Sequence, residues 1–196
     1  MLLKALTEAN GVSGNERNVR ELILNEIKNY CDQITVDSIG NIIAYKKGNG
    51  VDDKSIMLSS HMDEVGLIVT GITEAGFIKF KPVGGIDERI LISKRVLIGE
   101  ECIPGVIGIK AIHLQEPTER KNAVKIKNMY IDIGAKNKED AEKKVSLGDF
   151  IAFDSEYIEF GHNMVKAKAL DDRLGCAVLI EMLKEKYSFN LYACFT

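Results

Sequence analysis

The 196-residue chain is 45% hydrophobic and 28% charged, a balance that supports a sizeable buried core and excludes a disordered segment. Its 26 Lys and Arg against 29 Asp and Glu leave a formal charge of −3 with both signs scattered, which gives no footprint for binding nucleic acid. The opening MLLKALTEANG breaks at Asn10 and Gly11, too early for a signal sequence or a membrane span, so a cytoplasmic location is expected.

The first predicted helix begins near Ser13, whose spacing to Glu16 fits a capping box, and carries Val19, Leu22, Ile23, Ile27 and Tyr30 along one apolar face. ITVDSIGNIIAYKKGNG then reads as two strands around a tight turn at Gly40. SIMLSS follows, with Ile56, Met57 and Leu58 in a run that does not alternate, as expected for a strand covered on both faces. From Gly66 to Gly161 the texture changes, with 11 of the 17 glycines and all three prolines between short apolar runs such as GFIKF, VLIGEECI and GVIGI. This pattern predicts a small β-barrel or sandwich, with KNKEDAEKK as one exposed helix and GDFIAF as a further strand. After Gly161, VKAKAL leads to Asp171, a helix carries Leu174, Ala177, Val178 and Met182, and FNLYACF is a second covered strand. The expected architecture is an α/β domain at 1–67 and 162–196, interrupted by an inserted β domain at 68–161. Cys31, Cys102, Cys176 and Cys194 lie far apart without a CxxC pair and read as reduced core thiols.

Two polar motifs lie at strand exits, where open α/β sheets collect ligands: SSHMDE and LDDRLG. His61 offers an imidazole nitrogen, and Asp63 is placed to hold the other ring nitrogen and fix the tautomer. Asp171 has two oxygens, enough to bridge two cations about 3.5–4 Å apart, with Asp172 and Arg173 as surrounding charge. Each motif also has a plain explanation. A lone histidine after an apolar strand is more often a structural residue than a ligand, and Asp is a favoured N-cap at the positive end of a helix. Pattern alone leaves both readings standing. His113, in IHLQEPTERK, and His162, in GHNMV, read as structural or surface residues rather than ligands.

Several stretches resemble, in order, the glutamyl and tetrahedral aminopeptidases, two-metal peptidases of bacteria and archaea. They are GVSGNE at 11–16, VDSIGNIIA at 36–44, SSHMDEVG at 59–66, VGGID at 83–87, GVIGIKAIHL at 105–114, YIDIGAKNKEDAE at 130–142 and AKALDDRLGC at 167–176. The resemblance implies a zinc-peptidase-like α/β/α catalytic domain holding two zinc or cobalt ions, with a small β-barrel inserted. It implies that His61 ligates one metal, that Asp171 bridges both, and that Asp63 is the catalytic acid supporting the histidine. The Asp171–Asp172 bond is expected to be cis. Peptides trimmed from the amino end are the implied substrates, and homo-oligomers, often twelve-membered, the implied assembly. Some relatives carry an endoglucanase label, but no paired-carboxylate glycosidase pattern stands apart from the acids already assigned.

In that family the strand matching NLYACFT is followed by a Glu-Glu pair, general base and ligand, and later by another acidic ligand and a histidine. These lie outside the 196 residues. The resemblance therefore implies a truncated catalytic domain with negligible activity by itself. The alternatives are a non-catalytic subunit that assembles through the β insert and a metal-binding module, although two ligands do not close a four-coordinate site.

Overall fold

The structure, a computed structural model, describes residues 1–51, 54–116 and 122–196. In chain order its elements are α1 (Leu2–Glu8), α2 (Arg17–Ile27), β1 (Gln33–Val36), β2 (Ile42–Lys46), β3 (Ser55–Ser60), β4 (Gly66–Ile72) and β5 (Ile78–Val83). There follow β6 (Arg95–Ile98), β7 (Ile103–Ile109), β8 (Met129–Asp132), α3 (Lys138–Glu142), β9 (Phe150–Phe153), β10 (Ile158–Phe160), β11 (Met164–Lys166), α4 (Leu170–Lys184) and β12 (Asn190–Phe195). The chain forms two compact units, 1–64 with 156–196, and 65–155, against expected boundaries at 67 and 161.

The first unit is a mixed sheet in the order β1-β2-β12-β3, joined by helices. β12, from the end of the chain, lies antiparallel to β2 and parallel to β3, so both outer segments build one sheet. Its near-continuous burial matches its unalternating sequence. The turn before β2 is fixed by Asp37, whose Oδ1 accepts from the amides of Ile39, Gly40 and Asn41. Gly40 there has φ +101°, a conformation that costs glycine little. α2 buries Val19, Ile23 and Ile27 completely, each such side chain contributing roughly 1.5–3 kcal/mol of transfer free energy.

Four expectations for this unit are corrected. Ser13 and Glu16 form no capping box: α2 begins one residue after Glu16, and the Ser13 hydroxyl is turned to Asp63 instead. A parallel bridge between Val12 and Glu64 holds this segment, so tertiary pairing overrides the local cap. Tyr30 lies beyond the helix and is exposed. Among the described residues β3 is not covered on both faces: Ile56 and Met57 are 42% and 64% exposed. α4 is turned from its expected face: Arg173, Cys176, Leu179, Ile180 and Leu183 are buried, whereas Leu174 and Val178 are exposed. Apolar residues on two sides of that helix made its period ambiguous.

The second unit is a closed barrel in the order β4-β5-β8-β7-β6-β9, every neighbouring pair antiparallel. Closure removes free edges, and Leu67, Ile78, Val96, Ile107, Ile131 and Ile151 fill the interior. α3 is the expected short helix, capped by Asn137 and anchored by Ala141. No cysteine is disulfide-bonded: Cys176 and Cys194 are buried and Cys31 half-buried, but Cys102, expected in the core, is exposed on the turn between β6 and β7.

Candidate metal centre

The geometry grows from an alternation. After β3 the chain stays extended, so residues 60–64 point to opposite sides in turn: Ser60, Met62 and Glu64 are buried, and His61 and Asp63 are partly open. The open side carries the expected donors. His61 Nε2 lies 3.1 Å from Asp171 Oδ1, bringing together residues 110 apart in the chain. His61 Nδ1 lies 2.9 Å from Asp63 Oδ1, at an angle too bent to complete a hydrogen bond. The other Asp63 oxygen, Oδ2, accepts from the Ser13 hydroxyl. The Asp171 side chain is 96% exposed, so a cation can reach its carboxylate.

Asp171 projects outward because of the backbone that delivers it. Ala169 is left-handed at φ 50°, and neither Asp171 (φ −89°, ψ 106°) nor Asp172 (φ −122°, ψ 38°) is helical. The bond between them is cis. Asp172 turns back instead: its Oδ1 accepts from the Gly175 amide, 3.1 Å, and its Oδ2 from the Ser60 hydroxyl, 2.7 Å. The plain N-cap explanation thus applies to Asp172, while Asp171 projects to the open side beside His61.

The buried side of 60–64 is a set of cross-links that the sequence reading missed. Glu64 Oε1 accepts from Lys168 Nζ at 2.5 Å and from the Gly11 amide at 3.1 Å. Arg173, fully buried, donates from Nε to the Met62 carbonyl at 2.6 Å and from Nη1 to the carbonyls of Leu6 and Ala9. Its Nη2 has no hydrogen-bond partner among the described residues, and Glu64 Oε1 is 3.9 Å away. Burial pushes the Arg173 guanidinium below its usual range, with the Glu64 charge opposing. Burial likewise pushes the Cys176 thiol up, and that thiol donates to the His61 carbonyl at 3.3 Å. Every even position of 60–64 is therefore tied to the segment 168–173 that carries Asp171. The available signal was Glu64 itself, because an acid two residues from Met62 on the buried side requires buried cations. Lys168 and Arg173 flank Asp171 at the spacing that supplies them.

His113 and His162 are exposed and take no part in this cluster, and residues 117–121 lie outside the described residues. Among the described residues, no group of three or more His, Cys, Asp or Glu side chains converges as a metal site. The donors therefore fit a metal centre as part of its shell: one imidazole and one bridging-capable carboxylate, with a carboxylate behind the imidazole.

The family model for M42 glutamyl aminopeptidases matches residues 40–196, and a model described as AMPT matches residues 1–22. The chain belongs to the M42 glutamyl aminopeptidase family. A relative from Acetivibrio thermocellus, whose aminopeptidase name is itself provisional, is 43% identical over 197 residues, covering 100% of this chain and 57% of the relative. Among solved structures, an aminopeptidase from the archaeon Desulfurococcus kamchatkensis superposes with a TM-score of 0.91 at 35% identity, over 100% of this chain and 54% of its own. The TET1 peptidase of Pyrococcus horikoshii gives 0.86 at 36%, over 99% of this chain and 59% of its own. The chain thus spans about half the length of the M42 relatives it matches.

Proposed function

We propose that this chain supplies one part of the two-metal centre of an aminopeptidase that removes amino-terminal residues from peptides. His61 and Asp171 are its metal ligands, zinc or cobalt the metals, and Asp63 the acid that orients His61. The observation that supports this reading is the 3.1 Å approach of His61 Nε2 to Asp171 Oδ1 across 110 residues. Its exposed donors stand on a buried, cross-linked backbone, the arrangement expected of a rigidly held ligand pair. When bound, the metal pair supplies Lewis acidity for attack on a scissile carbonyl. The chain's own residues hold the geometry: Asp63 orients the imidazole, Ser60 and Asp172 fix the start of α4, and Arg173 and Lys168 clamp the His61 segment. A cytoplasmic location fits cysteines that are not disulfide-bonded.

The 196 residues by themselves are expected to hydrolyse peptides negligibly, since two donors leave a metal shell open. Chelator-sensitive release of amino acids by the isolated chain at rates typical of an aminopeptidase would overturn this. The function itself is tested in a chimera in which residues 1–196 replace the matching part of the Acetivibrio thermocellus relative. Chelator-sensitive removal of amino-terminal residues, abolished by His61→Ala and by Asp171→Ala, is the expected result. Undiminished activity in either variant contradicts the assignment.

A second reading is a non-catalytic subunit that assembles with its relatives through the barrel. It is favoured by the Pyrococcus horikoshii peptidase, which assembles into a tetrahedron or a large octahedral shell. Under the first reading the chain forms homo-oligomers, which light scattering of the purified protein tests; under the second it co-purifies with a full-length relative.

A further inference from the structure

The tripeptide Asn-Gly-Val occurs twice in the chain, at 10–12 and at 49–51, and the fold treats the two copies in opposite ways. Asn-Gly leaves a side-chain carboxamide open to its own main chain, because glycine has no Cβ to shield the following amide nitrogen or restrict its approach. The chemistry is an intramolecular substitution. The glycine nitrogen bonds to the asparagine Cγ, its proton passes to solvent, and the side-chain nitrogen leaves as ammonia, closing a succinimide ring. Water then opens the ring at either carbonyl and leaves aspartate or isoaspartate.

At the first copy both reacting groups are held. The Gly11 amide donates to the buried Glu64 Oε1 at 3.1 Å, and the Asn10 carbonyl oxygen, Oδ1, accepts from Lys168 Nζ at 3.1 Å. Lys168 polarises that carbonyl, but the nitrogen that would attack it is bound to Glu64, and Gly11 and Val12 are buried. At the second copy Asn49, Gly50 and Val51 are all exposed, on the connection between β2 and β3. Among the described residues neither the Asn49 carboxamide nor the Gly50 amide makes a hydrogen bond. The connection is pinned through other atoms. The Gly48 amide donates to Asn190 Oδ1 and the Asn49 amide to the Tyr187 carbonyl, each at 2.9 Å, and both bonds leave the reacting atoms open.

We propose that Asn49 is a modification site, converting through a succinimide to isoaspartate and aspartate in the folded protein, while the Glu64 and Lys168 contacts spare Asn10. Conversion places a carboxylate at position 49, and the isoaspartate form adds one main-chain atom to a connection pinned to Tyr187 and Asn190. The reaction needs only water and no metal.

The test incubates the 196-residue chain in warm, mildly alkaline buffer, with and without denaturant. Site-resolved mass spectrometry follows the tryptic peptides 48–54 and 5–17, and enzymatic methylation of isoaspartyl carboxylates scores the isomer. In the folded chain Asn49 is expected to convert, and Asn10 about tenfold to a hundredfold more slowly, the population factor for opening a hydrogen bond to a charged group. In denaturant the two are expected to convert at the same rate, because their local sequence is the same. Asn49→Gln is expected to leave peptide 48–54 unchanged, since glutamine closes the larger ring far more slowly. A folded chain that keeps Asn49 intact while the denatured chain converts it overturns the proposal. Folded Asn10 converting as fast as Asn49, or Asn10 remaining the slower of the two in denaturant, overturns the protection assigned to Glu64 and Lys168.

Discussion

The two units solve the problem of burial in opposite ways. The barrel closes on itself, pairs every strand on both sides and fills its interior with aliphatic side chains. The α/β unit leaves β3 as an edge with Ile56 and Met57 exposed, and buries Arg173, Glu64 and the stem of Lys168 beside its apolar core. An all-apolar interior is cheap to build but holds no chemistry. A buried ion network is costly to desolvate, and it fixes backbone segments at defined points. The costly interior lies directly beneath the two exposed donors.

That contrast is most exposed to substitution at Arg173. Arg173→Ala leaves the buried carbonyls of Met62, Leu6 and Ala9 without their shared donor and takes one of two cations from beside Glu64, and is expected to destabilise the α/β unit by about 3–5 kcal/mol. Denaturant unfolding gives the size, and hydrogen exchange should show the loss in α1, α4 and β12 with the barrel amides unaffected. Equal loss in both units would erase the distinction. The matching change in the barrel is Ile131→Ala, at the register opposite Ile78 and Ile107, with an expected cost of about 2–5 kcal/mol confined to barrel amides. Gly11→Ala has a smaller effect. A Cβ there would lie 2.7 Å from both Arg173 Nη2 and Val19 Cγ2, so about 1–3 kcal/mol is expected from the same unfolding measurement. The smallest effect is at the barrel surface. The side-chain hydrogen bond from Arg89, with the Arg89 amide assisting, holds the Asp87 carboxyl at about 2. Any stability it contributes is complete above the ordinary carboxylate range and is lost as pH falls through about 2. Carboxyl ¹³C titration should show that value and its return towards the ordinary range in Arg89→Ala.

The barrel was legible because its signals are local: glycines and prolines bounding short apolar runs, and the single helix in KNKEDAEKK. In the α/β unit the legible parts were also local, namely the Asp37–Gly40 turn and the unalternating β12. The errors fell where a distant partner decides. Ser13 had a valid local cap in Glu16 and gave it up for Asp63, and Glu64 showed no role until Lys168 and Arg173 were beside it. The exposed face of β3 was misread because an apolar run states that cover is needed, and not which segment provides it. His61 and Asp171 were singled out by their strand-exit positions, but pattern alone could not choose between ligand and structural roles. Their 3.1 Å approach is information that only the folded chain carries.

The central claim is that His61 and Asp171 form one shared, incomplete cation site. Titrating the ¹⁵N-labelled chain with Zn²⁺ while following all three imidazoles tests it most directly. The account predicts weak, rapidly exchanging binding that perturbs His61 Nε2, leaves His113 and His162 unmoved, and disappears in Asp171→Asn. Shifts centred on His113 or His162, or binding at His61 that survives Asp171→Asn undiminished, would contradict it.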